Sequence, residues 1–205
     1  MRSRSIAAAV VPLLMSLAVH AEPTRSDPDR YGHMHMVLEK TWFKVDAARV
    51  DVWFGPETRD LLQQIAAGQA YSDERAEQVA KTAMQAQDVT VQVEMLRNAS
   101  LGEFLDSAKG NLEHARDARY ITPDTFAASW QNVQKDFAPL AKRGLKKGDR
   151  MVYRARGDTL QTTVTADDKV LLDLSSDDPH ARPAMIASYF APKTDFRDKL
   201  IKSLF

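Results

Sequence analysis

The segment Asp88–Met95 constrains the fold most, because its apolar residues alternate strictly with polar ones. Its sequence, DVTVQVEM, places a valine or methionine at every second position from Val89 to Met95. Successive side chains of a strand point to opposite faces, so this pattern predicts a strand with one buried and one solvated face. An antiparallel sheet of such strands needs cover over its apolar face.

Four helices are predicted from their start and stop signals. Pro56 opens a helix that ends near Gly68, and Ser72 caps a second helix. The S-x-x-E pattern at Ser100 is a capping box, and Thr122-Pro123 starts a fourth helix. Apolar residues of the last two recur at helical spacing: Leu101, Phe104, Leu105, Ala108, Leu112 and Ala115, then Phe126, Trp130, Val133 and Phe137.

The C-terminal part predicts a strand meander followed by two helical pieces. After the KKGD turn at 146–149, the segments RMVYRARG, TLQTTVT and KVLLDLS indicate three short antiparallel strands. PAMIASYF and DFRDKLIKSLF then favour helices on either side of Pro192. The predicted fold class is α+β, a largely antiparallel sheet with helices layered on one face, in a single domain over 32–205.

The stretch LEKTWFKVDAARVDVWFG, residues 38–55, changes the parity of its apolar residues. Phe43 and Val45 are odd, whereas Val50, Val52 and Phe54 are even. We predict one strand region from His33 to Phe54 that bends or bulges across residues 46–49.

The N-terminus predicts export. Two arginines, an apolar run from Ile6 to Val19 and a small residue at Ala21 are typical of a secretory signal peptide over 1–21, cleaved after Ala21. The apolar run contains Pro12 and is shorter than the roughly 20 residues that span a bilayer. A flexible leader is expected over 22–31, and the protein is expected in the periplasm or outside the cell.

Composition excludes several function classes. The chain has no cysteine, which excludes thiol catalysis and cysteine-ligated metals. Its formal net charge is zero, and loss of the signal peptide removes two arginines but no acidic residue. This balance indicates neither nucleic acid nor anionic lipid as a partner.

Few residues indicate chemistry on their own. No phosphate-loop, zinc-protease or serine-hydrolase motif occurs in the sequence. His33 and His35 share one face of a predicted strand, as candidate haem or copper ligands or as an ordinary solvated strand start. Arg97 follows a strand and precedes a helix cap, where it either faces the inside of the sheet and binds a carboxylate or pairs with Glu94 or Glu103.

The order of these segments resembles the chalcone isomerase-like family. The similarity runs from TWFKVDAARVDVWFG through VEMLRNASLGEFLDSAKGNLEHA and the KKGD turn to the terminal MIASYFAPKTDFRDKLIKSLF. The resemblance implies an open-faced sandwich with a cleft between sheet and helices, here in a secreted, bacterial-type member. Family members include isomerases that cyclise chalcones, proteins similar to fatty-acid binders, and haem-binding proteins.

The resemblance also implies that the isomerase residues are largely missing. The family's early arginine falls on Leu38 or Glu39, and its threonine near Val50 or Asp51. Its tyrosine position corresponds to Phe104, which has no hydroxyl to donate; its asparagine is kept as Asn111.

The leading hypothesis is a non-catalytic exported domain that binds a small apolar or amphipathic ligand, a fatty acid or haem, in the cleft. The alternatives are an isomerase or lyase acting on an unknown enone through Asn111, and a protein-interaction module of the cell envelope. No cofactor is expected unless haem binds. The predicted ligand-binding residues are Arg97, Phe43, Val45, Met95, Phe104, Asn111 and Trp130.

Overall fold

Six antiparallel strands form one sheet in simple meander order. The computed structural model describes residues 30–40 and 45–205. The strands are β1 (His33–Lys40), β2 (Val45–Phe54), β3 (Asp88–Met95), β4 (Arg150–Arg156), β5 (Thr159–Ala166) and β6 (Lys169–Ser176). Each strand pairs only with its neighbours in sequence. The predicted antiparallel sheet is confirmed.

Six α-helices accompany the sheet. They are α1 (Pro56–Ala66), α2 (Asp73–Gln85), α3 (Leu101–Asp117), α4 (Pro123–Phe137), α5 (Ala181–Phe190) and α6 (Arg197–Lys202). The predicted caps are present: Ser72 accepts from the Arg75 N–H, Thr122 from the Thr125 N–H, and Ser100 forms a complete capping box with Glu103. Local sequence signals therefore fix where these helices begin.

One face of the sheet is apolar and carries most of the core. On β3 the buried residues are the four that alternate in the sequence, Val89, Val91, Val93 and Met95. Neighbouring strands continue this layer with Met34, Met36, Val50, Val52, Phe54, Met151, Ala155, Val164 and Leu172. Side chains from α1, α2, α5 and α6 complete the cluster, including Leu62, Val79, Phe190, Leu200 and Ile201.

The expected single strand from His33 to Phe54 is instead a pair of antiparallel strands. His33 lies opposite Trp53, and Lys40 lies opposite Val45, so the chain reverses direction between Lys40 and Val45. A register shift does occur in the predicted place: Leu38 pairs with Ala48 and Glu39 with Asp46, which leaves Ala47 as the extra residue of a β-bulge. Both Ala47 and Ala48 are consequently buried.

The N-terminal predictions fall mostly outside the described residues. These are the signal peptide over 1–21 and all but the last two residues of the leader. Arg30–Gly32 form a short 3-10 helix, and Tyr31 is buried against the core. Tyr31, predicted to belong to the leader, therefore packs with the folded part of the chain.

Candidate functional site

A cavity of about 850 Å³ lies between the sheet and helices α3, α4 and α5. Strands β1 to β6 all contribute to its floor, and the three helices form its roof. This volume lies within the roughly 300–1000 Å³ typical of small-molecule sites. The cleft that the resemblance implies is therefore present as a cavity.

The β-bulge forms part of the cavity floor. Because Ala47 is the extra residue, the bulge turns both it and Ala48 inward, and both small side chains line the cavity beside Leu38. Met95, paired with Ala48 across the sheet, continues the same surface. The parity switch in the sequence thus marks a wall of the cavity.

The roof of the cavity combines polar side chains with an apolar part. Phe104, Ala108 and Leu112 of α3 and Met185 of α5 line it. The Phe104 ring lies 4.7 Å from the Phe137 ring at the end of α4, and this pair borders the cavity. Such walls suit an apolar ligand chain or ring system.

Arg97 lies in the cavity wall, close to the start of α3. Its Nη1 donates to the Asn98 carbonyl at 3.0 Å and contacts a Glu103 carboxylate oxygen at 3.4 Å. Its buried Nε has no hydrogen-bond partner in the described part of the chain. Arg97 therefore pairs with Glu103, as one alternative predicted, and also lines the cavity. That it binds a carboxylate there stays a prediction.

Glu103 is held in its charged form at this rim. Hydrogen bonds from the Ser100 backbone N–H and hydroxyl, followed by the Arg97 contact, lower the pKa of Glu103. Asp106, Lys135 and Asp136 also line this side of the cavity. The rim is therefore charged, in contrast to the apolar part of the roof.

A buried ion pair anchors the turn behind Arg97. Asp149 is 2 % exposed. Its carboxylate accepts hydrogen bonds from both terminal nitrogens of Arg143 and, at 2.7 Å, from the Lys146 backbone N–H. Burial alone would raise the pKa of Asp149, but these hydrogen bonds outweigh it and hold the pKa below its ordinary value. Gly144 in this turn has a φ of +65°, and a Cβ there would approach the Ala99 carbonyl oxygen to 2.6 Å.

Asn111 lies in the cavity wall, and both the nitrogen and the oxygen of its amide form a hydrogen bond within the protein. Its Nδ2 donates to the Ser107 carbonyl at 3.0 Å, and its Oδ1 accepts the Asp195 N–H at 3.0 Å. These bonds tie α3 to the segment between α5 and α6. The geometry gives Asn111 a structural role.

Three cavity hydroxyls were not predicted from the sequence. Tyr153 on β4, Thr162 opposite it on β5, and Tyr189 on α5 all line the cavity. A tyrosine within a strand or helix is usually a core residue, so the sequence carries no signal for them. Only the three-dimensional arrangement places them around one space.

Other predicted site residues lie elsewhere. Trp130 does not line the cavity; at its place on α4 it packs against the small cluster of Leu112, Ala115, Ile121, Ala184, Ala187 and Ala191. Phe43 lies outside the described residues, as does the Val45 side chain. Met95, Phe104, Asn111 and Arg97 line the cavity as expected.

His33 and His35 lie on the opposite face of the sheet from the cavity. The His33 ring stacks on Trp53 at 4.9 Å, and its Nε2 lies 2.8 Å from an Asp51 oxygen. Met34 and Met36 point into the core, as the alternation predicts. Within 30–40 and 45–205, no group of three or more acidic or histidine side chains is arranged to hold a metal ion.

None of the described helices is long and apolar enough to cross a membrane.

Comparison with known proteins supports the fold. No protein-family model matches this sequence, and no curated protein matches it. The structure is similar to the crystal structure of a fatty-acid binding protein of Arabidopsis thaliana, with a TM-score of 0.55 and 8% sequence identity. The match covers 84% of this chain and 83% of that one. The chain therefore has the α+β, chalcone isomerase-like fold, with an open antiparallel sheet of six strands covered by helices.

Proposed function

We propose that this chain is a non-catalytic binding protein for a small amphipathic acid of the fatty-acid class. The cavity of about 850 Å³ between apolar walls is the observation that carries the proposal. The apolar part of the ligand lies between the sheet and α3, and its carboxylate lies at the rim beside Arg97. The structural neighbour from Arabidopsis thaliana is a fatty-acid binding protein, which supports the same ligand class.

Arg97 is the group that receives the carboxylate. A guanidinium binds carboxylates through several N–H donors at once. Arg97 uses Nη1 in its two hydrogen bonds, to Asn98 and Glu103, and its Nε is unpartnered within the described residues. Ligand binding satisfies donors that the protein alone leaves free.

The same geometry favours binding over catalysis. The resemblance assigns the isomerase's anion-holding position to Leu38 or Glu39 and its ketone-polarising position to Phe104. Leu38 and Phe104 line the cavity but carry no donor, and Glu39 is not among the lining residues. The one family position that is retained, Asn111, uses its amide within the protein. These matching positions therefore supply no donor that could hold an enolate as in the isomerases.

A histidine-ligated haem does not fit this cavity. No histidine occurs among its described lining residues. His33 and His35 are on the other face of the sheet, where His33 is already engaged by Asp51 and Trp53. The candidate haem ligands therefore cannot reach a group bound in the cavity, and the proposal is restricted to the organic acid.

Titration with hexadecanoic acid tests the proposed function. We expect saturable binding at one site per chain, a loss of affinity of about 10-fold for Arg97→Gln, and a larger loss for Ala108→Phe, which places a ring in the cavity. Arg150→Gln on the outer face of β4 and Ala127→Phe on the exposed side of α4 are matched controls that should bind like the original protein. Absence of saturable binding, or an equal effect of site and control variants, contradicts the proposal.

We also propose that the protein acts outside the cytoplasm. The arginines, apolar run and small residue near the N-terminus, a pattern typical of a signal peptide, support this location. Expression of the full chain followed by cell fractionation and N-terminal sequencing should give a processed protein that starts at Glu22. An unprocessed chain in the cytoplasmic fraction contradicts export but leaves the binding proposal unaffected.

A further inference from the structure

Tyr153, Tyr189 and Thr162 place three weakly partnered hydroxyl groups in an otherwise apolar part of the cavity. The contact of the Tyr153 hydroxyl is the Met151 sulfur at 4.0 Å, and a thioether is a weak acceptor. The hydroxyls of Tyr189 and Thr162 have no hydrogen-bond partner among the described residues. Both residues are nevertheless buried, at 6 % and 9 % exposure.

Hydroxyl groups of this kind are available to a bound molecule. Among the described residues the completely buried side-chain atoms without a partner are Arg97 Nε and Arg197 Nε, so the cavity hydroxyls keep some contact with the cavity space. A polar group that meets a ligand in a cavity binds best when the ligand offers it a hydrogen-bond partner. Their shared position in the cavity wall indicates that a polar atom of the ligand completes their hydrogen bonds.

These hydroxyls are neutral donors. Burial raises the pKa of Tyr153, and burial together with the proximity of Tyr153 raises the pKa of Tyr189 well above its ordinary value. Both phenols therefore keep their protons throughout the physiological range. They can donate to an acceptor atom, and they provide no positive charge to balance an anion.

The backbone of Arg97 lies well along the sheet from the backbone of this group. Tyr153 lies opposite Val91 on β3, and Met95 at the end of that strand is four residues further on. At about 3.3 Å per residue this separation is roughly 13 Å, and Arg97 lies beyond it. The two polar places in the cavity therefore contact different parts of one ligand.

We propose that Tyr153, Tyr189 and Thr162 form a second, neutral subsite that binds an uncharged oxygen of the ligand. The preferred ligand is then an acid whose apolar body carries a carbonyl oxygen well away from its carboxylate. A second carboxylate is disfavoured there because the cations of the cavity wall, Arg97 and Lys135, lie on the charged side of the cavity near the start of α3 and the end of α4. This inference rests on the proposed function and specifies its ligand.

Matched ligands separate the subsite from general binding. Hexadecanoic acid is compared with a set of its monoketo derivatives in which the carbonyl is moved along the chain. We expect at least one ketone position to bind roughly 3- to 10-fold more tightly than the parent acid. If the parent acid binds well and no ketone binds more tightly, the second subsite is refuted while the proposed function stands.

Hydroxyl deletions then assign the preference to residues. Tyr153→Phe and Tyr189→Phe should remove the preference for the ketone and change the affinity for the parent acid less than twofold. Arg97→Gln should weaken both ligands equally, and Tyr71→Phe, a tyrosine outside the cavity, should change neither. Equal weakening of both ligands by the two cavity substitutions would show a structural role and overturn the proposal.

Thermal unfolding of the ligand-free protein provides an independent check. Because these hydroxyls lack strong partners in the protein, Tyr153→Phe and Tyr189→Phe should leave the unfolding midpoint unchanged or raise it slightly. A marked fall in the midpoint for both variants contradicts the assignment. Failure of the parent acid and every ketone to bind overturns the proposed function and this inference together.

Discussion

Helices α2 and α3 have the same amphipathic pattern but cover different kinds of interior. In α2, four residues are almost completely buried: Ala76, Val79, Ala80 and Ala83. In α3, no residue from Leu101 to Gly110 is buried, although Leu101 and Phe104 pack against the core and Ala108 borders the cavity. The difference arises because α2 packs on a filled core whereas the first half of α3 lies over the cavity. An apolar helical face therefore indicates where cover is needed, not whether the space beneath it is filled.

The two regions are also stabilised by different forces. Around α2 the core side chains interdigitate, and Leu62, Val79 and Phe190 have no exposed surface. Around the start of α3 the chain relies on polar anchors, namely the Ser100 capping box, the Arg97–Glu103 contact and the Asp149 turn. We expect substitutions around α2 to lower the free energy of unfolding through lost packing. Substitutions around the start of α3 should lower it through lost hydrogen bonds.

The largest expected effect is the loss of a large side chain from the packed region. Phe190→Ala should lower the free energy of unfolding by about 3–5 kcal/mol, because Phe190 is fully buried and packs on Phe54 with the two ring centroids 5.9 Å apart. Phe104→Ala over the cavity should cost about 1–2 kcal/mol, since its ring is only half-buried against Phe137. Urea unfolding measures both. Equal losses would show that the two regions are packed alike.

The next effect concerns the polar anchor of the cavity region. Asp149→Asn should lower stability at neutral pH by about 2–3 kcal/mol, because a charge-assisted hydrogen bond is lost in a buried turn. The pKa of Asp149 is lowered on folding, so its contribution is present above the unfolded value of about 3.9 and disappears as the pH falls through the folded value.

Unfolding measured from pH 7 down to pH 2 checks this sign. The stabilities of the original protein and the Asn variant should converge at the acidic end. Hydrogen exchange should show the first loss of protection at the Ala99–Leu145 bridge, which this turn supports. A constant difference across the range would contradict the role of the Asp149 charge.

Local structure was largely predictable from the sequence because its causes are local. The alternation on β3, the capping box at Ser100 and the cap at Thr122 each depend on residues within a few positions of one another. The hairpin between β1 and β2 was not predicted because the local sequence carries no turn signal. Its connecting residues, Thr41-Trp42-Phe43-Lys44, contain none of the glycine, proline, asparagine or aspartate that favour turns.

The candidate site was less predictable because it depends on distant parts of the chain. Tyr153 and Tyr189 are separated by 36 positions and meet only because α5 lies over β4 and β5. Asn111 was correctly placed in the cavity wall, but its bond to the Asp195 backbone belongs to a segment 84 residues away. Sequence patterns show which residues face inward and do not show which of their polar atoms already have partners.

Filling the space beneath each helix should distinguish the two regions directly. Ala80 on α2 is fully buried in the core, so Ala80→Phe should destabilise the protein by about 1–3 kcal/mol through overpacking. Ala108 on α3 borders the cavity, so Ala108→Phe should leave stability unchanged within about 0.5 kcal/mol. Urea unfolding of the ligand-free variants measures both. A large loss for Ala108→Phe would mean that the cavity is closed in solution.

The smallest effect separates the caps of the two helices. Ser72→Ala and Ser100→Ala each remove a side chain that accepts a backbone N–H, which typically costs about 1 kcal/mol. For Ser72→Ala the loss should appear in global unfolding, because α2 is tied to the core along its length. For Ser100→Ala it should appear mainly as faster hydrogen exchange in the first two turns of α3, which have little packing to share the loss.

Hexadecanoic acid should restore that protection in Ser100→Ala if the ligand bridges Arg97 and α3. It should leave hydrogen exchange in α2 of Ser72→Ala unaffected. Identical hydrogen exchange in the two helices would contradict the difference between the packed region around α2 and the polar-anchored region at the start of α3.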